Sequence, residues 1–121
     1  MTTTTDFGKV VRMARIQASV KLSDMATALE VSPAFLSSLE TGRKRVSEEW
    51  VGKIASYLRQ DLGQPVPDLE TKAAVSNGSV NLEGLSPQHQ MLVAGFARMR
   101  NFDEEIEMKF RELLEAASRG E

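Results

Sequence analysis

Residues 22–45 read LSDMATALEVSPAFLSSLETGRKR, and this segment is punctuated as two short helices around a tight turn. In the first helix, apolar side chains recur at helical spacing and form one apolar face; they are Met25, Ala26 and Leu29. The second helix has a clear predicted start, because Ser32 is a good N-cap and Pro33 suits the first helical position, which needs no amide hydrogen. Gly42 predicts its end, since glycine readily adopts the left-handed conformation after a helix.

The second predicted helix has two different faces. Leu36 and Leu39 are its inward residues, whereas its outer face carries the small, uncharged side chains Ala34, Ser37 and Ser38. A face of small groups can approach the edges of bases closely in a DNA groove. Three consecutive cations follow the glycine that ends the helix, and such charges favour a phosphate backbone.

At these residues the chain resembles the phage-repressor-like helix-turn-helix family, the Cro and lambda-repressor (xenobiotic-response-element type) group. Residues 31–44, VSPAFLSSLETGRK, are similar to the family's recognition helix and following turn, and the resemblance covers roughly residues 6–58. Two positions depart from the family pattern. Glu30 stands where a glycine is usual in the turn between the helices, and Leu22 stands where a glutamine often touches phosphate.

The resemblance implies a DNA-binding surface made by the start of the first motif helix, the recognition helix and the loop after it. Its expected residues are Lys21, Ser23, Ser32, Pro33, Ala34, Ser37, Ser38, Thr41, Arg43, Lys44 and Arg45. Lys21 and Ser23 are included because they flank Leu22 and can substitute for the missing glutamine. In the family the loop runs along the DNA backbone, so its three cations are expected to contribute affinity without reading sequence.

The two outward serines can contact bases, but they discriminate poorly because a hydroxyl both donates and accepts. Ordinary solvent exposure of Ser37 and Ser38 is the alternative. Sequence choice then depends partly on Ala34 or Phe35 touching thymine methyl groups, and on DNA shape. For Phe35, packing at the flank of the helix is the preferred interpretation.

The family alignment also suggests an ion pair between Arg15 and Glu40, which would tie the first helix to the recognition helix. If the pair is buried, losing one partner leaves an uncompensated charge at a cost of about 3–5 kcal/mol. Its role would be to orient the recognition helix rather than to contact DNA. The alternative is two independent surface charges.

The net charge of −2 is divided unevenly along the chain. Residues 1–60 carry nine Lys or Arg against six Asp or Glu, whereas residues 61–121 carry six against eleven. A basic first half and an acidic second half indicate that the two halves of the chain have separate functions. The field that a polyanion meets is local, so the cations after the recognition helix matter more than the total.

The composition narrows the class of protein further. A chain of 121 residues supports one or at most two small domains. The absence of cysteine excludes disulfides and thiolate metal sites and is compatible with a reducing cytoplasm. The N-terminal residues form neither a basic n-region nor an apolar stretch, so we expect a cytoplasmic protein with no signal peptide or membrane span.

Helical patterns continue on both sides of the motif, which predicts a DNA-binding domain over residues 1–60. A first helix is expected to end near Ala18, and a fourth to begin after Ser47, whose hydroxyl can cap it. Periodicity fails over residues 61–85, where glycine and proline punctuate a predicted linker. Asn77-Gly78 within it is compatible with a small hairpin, or else with an exposed turn.

Residues 86–121 form a second helical region, opened by Ser86-Pro87. Between Leu92 and Ala117, eight positions are separated by alternating steps of four and three residues, and seven of them are apolar. This is the spacing of a coiled-coil seam. The residues expected to make a dimer are Leu92, Phe96, Met99, Ile106, Phe110 and Leu113. The region is either one long helix or a helical hairpin, and packing back onto the N-terminal domain is the alternative to self-association.

We therefore expect an all-α, dimeric DNA-binding transcriptional regulator that represses its own or a neighbouring operon. The alternative is an antitoxin-like protein whose acidic C-terminal half binds a protein partner while the motif binds DNA; a third is a degenerate motif that makes only a protein contact. We expect no enzyme, cofactor or metal site, because the sequence has no Cys or His cluster and no glycine-rich phosphate loop. His89 is expected at the surface.

Overall fold

The computed structural model describes residues 4–120, which form two compact units, one ending at Asn81 and the other beginning at Leu82. The all-α prediction is confirmed, and the described residues contain no strand. The helices are α1 (Asp6–Gln17), α2 (Leu22–Ala28), α3 (Pro33–Glu40), α4 (Glu48–Ser56), α5 (Leu69–Asn77), α6 (Pro87–Ala97) and α7 (Glu104–Ser118). A π-helical turn, Tyr57–Asp61, continues directly from α4. None of these helices is long and apolar enough to cross a membrane.

The predicted starts of α3 and α4 are confirmed at their serine caps. Ser32 Oγ accepts a hydrogen bond from the amide of Phe35 at 3.1 Å, and Ser47 Oγ accepts one from the amide of Trp50 at 3.3 Å. Each bond satisfies an amide that has no partner within its helix. Gly42, with φ of 77°, follows the end of α3 in the predicted left-handed conformation.

Helices α1 to α5 enclose the hydrophobic core of the N-terminal unit. Its largest fully buried side chains are Phe7, Val11, Met25, Leu36, Leu39, Ile54, Leu58 and Leu69. Burying a side chain of this size stabilises the fold by about 1.5–3 kcal/mol. Because two of these residues, Leu36 and Leu39, belong to α3, the core holds that helix in a fixed orientation.

The turn between α2 and α3 keeps the geometry that glycine usually provides, although its critical residue is Glu30. Glu30 has φ of 59°, the left-handed region that side chains disfavour by roughly 1–2 kcal/mol. Its amide donates to the carbonyl of Thr27 at 3.2 Å, and the amide of Val31 donates to the carbonyl of Ala26 at 2.9 Å. These two bonds form a Schellman motif, which ends α2 and redirects the chain into α3.

The predicted linker over residues 61–85 is wrong for its central part, which is helix α5. Leu69 and Ala73, one helical turn apart, are buried in the core, and Val66 is buried just before them. The helix packs against α1 and α4. Its apolar stripe is short and contains mostly small residues, so the surrounding glycines and prolines obscured it. The compact N-terminal unit therefore extends well beyond residue 60.

The hairpin considered at Asn77-Gly78 does not form. Asn77 is the last residue of α5, and Gly78, with φ of 72°, is its left-handed cap. The amide of Ser79 donates to the carbonyl of Ala74 at 3.2 Å and closes the end of the helix. An Asn-Gly pair suits both a hairpin turn and a helix end, and here the helix before it decides between them.

The C-terminal unit contains two helices rather than one long helix. Ser86 Oγ accepts from the amide of His89 at 3.1 Å and begins α6, and Asp103 Oδ1 accepts from the amide of Ile106 at 2.9 Å and begins α7. Between the helices the rings of Phe96, Phe102 and Phe110 cluster, with the Phe96 and Phe110 centroids 4.6 Å apart. Such edge-to-face pairs hold the break between the helices in place.

The six predicted dimerisation residues are poorly covered within the C-terminal unit. Leu92 is 73% and Leu113 is 66% exposed, and Phe96 and Met99 are exposed to a lesser extent. Ile106 and Phe110 are half-buried. No residue of α6 or α7 is fully buried, so an apolar surface remains open to solvent.

Candidate DNA-binding surface

Helix α3 presents the small outer face that its sequence predicts. Leu36 and Leu39 are buried on its inner side. Ser32, Pro33 and Ala34 are exposed at its N-terminal end, and Ser37, Ser38 and Thr41 are half-buried along it. These side chains form a row of small groups along the outer side of α3, so the edges of bases can approach the helix closely.

Three hydroxyl groups on or next to α3, those of Ser32, Ser38 and Thr41, already make particular hydrogen bonds. Ser38 Oγ donates to the carbonyl of Phe35 at 2.6 Å, and Thr41 Oγ1 donates to the carbonyl of Ser37 at 2.8 Å. Because each hydroxyl donates its hydrogen to a backbone carbonyl, its oxygen keeps lone pairs that can accept from donors on a base edge, such as the amino groups of adenine and cytosine. The hydroxyl of Ser32 is occupied as the N-cap of the helix.

The loop after α3 carries the three predicted cations, Arg43, Lys44 and Arg45, and all three are exposed. The amide of Lys44 donates to the carbonyl of Ser38 at 3.1 Å, which folds the loop back along the end of α3. Within the described residues, no hydrogen bond or ion pair engages the guanidinium groups of the two arginines. Their charges are therefore available to an anion.

Phe35 packs at the flank of the recognition helix. Its ring lies 4.9 Å from the ring of Trp50 in an edge-to-face arrangement, and it is half-buried. Lys44 Nζ lies 5.2 Å from the centroid of Phe35, a cation–π contact that holds this charge beside α3. This position favours the flank interpretation over contact between Phe35 and thymine methyl groups.

Arg15 and Glu40, which the family alignment pairs, form a buried ion pair between α1 and α3. Arg15 Nη2 donates to both carboxylate oxygens of Glu40 at 3.0 Å, and both residues are less than one-tenth exposed. Burial raises the pKa of Glu40 above its ordinary value, and the guanidinium of Arg15 opposes that rise. Arg15 Nε is buried without a hydrogen-bond partner in the described part of the chain, so the pair is incompletely satisfied.

A second contact between α1 and α3, which the sequence did not reveal, lies beside this ion pair. The carbonyl of Glu40 accepts hydrogen bonds from the amide and the hydroxyl of Thr5, both at 3.0 Å. Gly8 permits this approach, because a Cβ on it would collide with the Glu40 carbonyl oxygen. A glycine inside a helix was the available sign, since it weakens a helix unless close packing requires it.

Lys21 and Ser23, the expected substitutes for the missing glutamine, are both exposed at the start of α2. Leu22 between them is half-buried against the core. The amide of Lys21 donates to Asp24 Oδ2 at 3.1 Å, which stabilises the first turn of the helix. The lysine amine and the serine hydroxyl therefore lie close together at the beginning of α2, exposed to solvent.

Residues 6–69 match the family described as a helix-turn-helix domain. This match covers more than half of the chain, and the chain belongs to that family. Membership suggests a DNA-binding regulator, in agreement with the exposed cations around α3. No curated protein and no solved structure matches the chain significantly. Among the described residues, no group of three or more His, Asp or Glu side chains is arranged to hold a metal ion.

Proposed function

We propose that this protein is a sequence-specific, dimeric DNA-binding regulator of the Cro and lambda-repressor type. Helix α3 enters the major groove of a palindromic operator, and the protein represses its own or a neighbouring operon by occupying the promoter. The observation that carries this proposal is the row of small side chains on α3, bordered by the exposed cations of the following loop.

Contacts to phosphates and contacts to bases have different roles on this surface. Arg43, Lys44 and Arg45 neutralise phosphates, and each such contact releases counterions and so contributes affinity for any duplex. Ala34, Ser37 and Ser38 approach base edges and supply the discrimination between sequences. The buried Arg15–Glu40 pair orients α3 without touching DNA, because both of its side chains lie inside the unit.

The dimer supports selectivity, because one recognition helix covers too few base pairs to select a site strongly. Two such helices related by a dyad address both halves of a palindrome. The exposed apolar residues of α6 and α7 supply a self-complementary surface for pairing, and covering them with a second copy removes them from water.

Binding measured at several salt concentrations tests the proposal. Arg43→Ala and Arg45→Ala should weaken specific and random duplexes by similar factors, and each should flatten the slope of log affinity against log salt by about one unit. Lys109→Ala, which removes a cation from α7, is the matched control and should leave the slope unchanged. A salt slope unaltered by both arginine variants would refute the assignment.

The serine on the outer face provides the complementary test of sequence reading. Ser38→Ala should weaken the preferred sequence by roughly 1 kcal/mol or more while changing binding to random DNA little. Equal weakening on both duplexes would instead place Ser38 among the residues that touch phosphate. The first duplex to use is the region upstream of the protein's own gene, in a gel-shift assay.

An antitoxin-like protein is the second candidate, and the acidity of the C-terminal half favours it. Residues 61–121 carry five more negative than positive charges, which complements a basic protein partner. In that case α6 and α7 cover the partner rather than a second copy. The mass of the free protein distinguishes the two, because a dimer at micromolar concentration supports the regulator and a monomer supports the partner.

A further inference from the structure

Asn77, the last residue of α5, makes two hydrogen bonds to the backbone of the loop that follows the recognition helix. We call this pair of bonds the clasp. Asn77 Oδ1 accepts from the amide of Val46 at 2.9 Å, and Asn77 Nδ2 donates to the carbonyl of the same residue at 2.8 Å. The two residues are 31 positions apart in the sequence. One side chain therefore satisfies both polar backbone groups of one residue, as a neighbouring strand would.

The clasped residue comes immediately after the three cations. Val46 is only 2% exposed, so its side chain is anchored in the core while Asn77 fixes its backbone. At the other end, the amide of Lys44 is held by the carbonyl of Ser38. The short stretch between these anchors, which contains Arg45, therefore has little freedom to move away from α3.

We propose that Asn77 is a positioning residue for DNA binding, which holds the loop so that its cations meet the phosphate backbone. This inference rests on the proposed function, since it assigns the loop to phosphate contact. A loop that is ordered before binding loses less conformational entropy on the DNA than a mobile loop does. Asn77 thus raises affinity without touching the nucleic acid.

The segment after Asn77 reinforces the same arrangement. Gly78 ends α5 with φ of 72° and turns the chain back toward α4. Asn81 Nδ2 then donates to Glu48 Oε1 at 3.1 Å, in the first turn of α4. The loop and the beginning of α4 are consequently both held by residues that lie outside the recognition helix and its turn.

A purely structural role would lower stability alone, so the deciding readout is the salt dependence of DNA binding by the full chain. Asn77→Ala should weaken specific and random duplexes about five- to tenfold and flatten the log–log salt slope by about one unit for each phosphate that the loop no longer neutralises. In the same variant, the amide hydrogen of Val46 should exchange at least about tenfold faster, because its acceptor has gone.

Ala74→Gly is the matched control, because it weakens α5 by a substitution unfavourable to helices and leaves the clasp intact. It should lower the melting temperature while keeping the wild-type salt slope and an affinity within about twofold. An Asn77→Ala protein with wild-type affinity and slope would overturn the positioning role. A wild-type protein that binds no duplex would overturn the proposed function and the positioning role together, whereas the exchange rate of Val46 still reports the clasp itself.

Discussion

The two units of the molecule differ most in what they do with their apolar side chains. The N-terminal unit buries large residues from α1, α2, α3, α4 and α5 around one core. In the C-terminal unit, no residue of α6 or α7 is fully buried, and Met91, Leu92 and Leu114 are each more than two-thirds exposed. The first unit is complete by itself, whereas the second has an apolar surface that a partner can cover.

Size accounts for this difference. The C-terminal unit contains about 40 residues, near the lower limit at which a chain can enclose a core without disulfides, metals or association. The N-terminal unit is about twice as long and has helices on several sides of its core. A closed core and an open apolar surface therefore divide between the units in the same way as DNA reading and dimerisation divide in the proposed function.

The largest expected effect comes from breaking the buried ion pair of the N-terminal unit. Arg15→Met should destabilise the protein by about 3–5 kcal/mol at pH 7, because it leaves Glu40 buried without a counterion. Glu70→Gln breaks the exposed pair that Glu70 makes with Arg59 at 2.9 Å, and should cost under about 1 kcal/mol. Urea unfolding measures both variants, and equal destabilisation would contradict the buried role of the first pair.

The contributions of Glu40 and Glu70 to stability should change with pH in opposite directions, which unfolding measured at several pH values can show. Burial raises the pKa of Glu40, so its contribution to stability is complete below the unfolded pKa of about 4.3 and is lost as pH rises through the raised value. Arg15→Met removes the group that opposes this rise. The stability that this variant loses relative to the wild type should therefore become smaller as the pH falls. The hydrogen bond from Arg59 lowers the pKa of Glu70, whose contribution is present above about pH 4.3 and is lost as pH falls through the lowered value.

Adding one methyl group should have opposite effects at Gly8, which is crowded in the N-terminal unit, and at Gly95, which is open in the C-terminal unit. Gly8→Ala places a Cβ against the carbonyl of Glu40 and should destabilise the N-terminal unit by about 3 kcal/mol. Gly95→Ala, in α6, meets no atom within 4 Å and should stabilise its helix by about 1 kcal/mol. Urea titrations followed by circular dichroism give both values. A neutral Gly8→Ala would show that α1 and α3 are less closely packed than their distances indicate.

A smaller effect is expected from relieving backbone strain in the N-terminal unit. There, Ser19 and Glu30 both adopt φ of 59°, whereas in the described part of the C-terminal unit only Gly84 and Gly120 have positive φ. Glu30→Gly should stabilise the protein by about 0.5–1 kcal/mol, because relief of the strain exceeds the entropy that glycine adds to the unfolded chain. Thr27→Gly, inside α2, should be slightly destabilising, and the same sign for both variants would contradict this explanation.

The parts of the structure that sequence predicts well are those decided by neighbouring residues. Ser32, Ser47 and Ser86 each cap a helix at the expected place, because the cap and the amide that it accepts from are three residues apart. The outer row of α3 follows in the same way from the helical spacing of its two buried leucines. Local rules therefore locate the recognition helix and the cations after it.

The parts that sequence missed depend on residues far apart in the chain. Helix α5 is held by the burial of Leu69 and Ala73 against helices formed much earlier, and its own apolar pattern is too short to reveal it. The clasp of Asn77 on Val46 has no local sign at all, since its partner lies 31 residues away. Such contacts arise only when the fold brings the segments together, so spacing in the sequence cannot predict them.

Sedimentation of the full chain beside a chain that ends near Gly84, both at micromolar concentration, tests the division between the units most directly. We expect a dimer for the full chain and a folded monomer for the shortened one, with Ile106→Asp or Phe110→Asp in the full chain reproducing the monomer, because each places a carboxylate in the apolar surface. Operator affinity should fall steeply in all three monomers, since each half-site must then be bound independently. A shortened chain that still sediments as a dimer would place the interface in the N-terminal unit and contradict this division of roles.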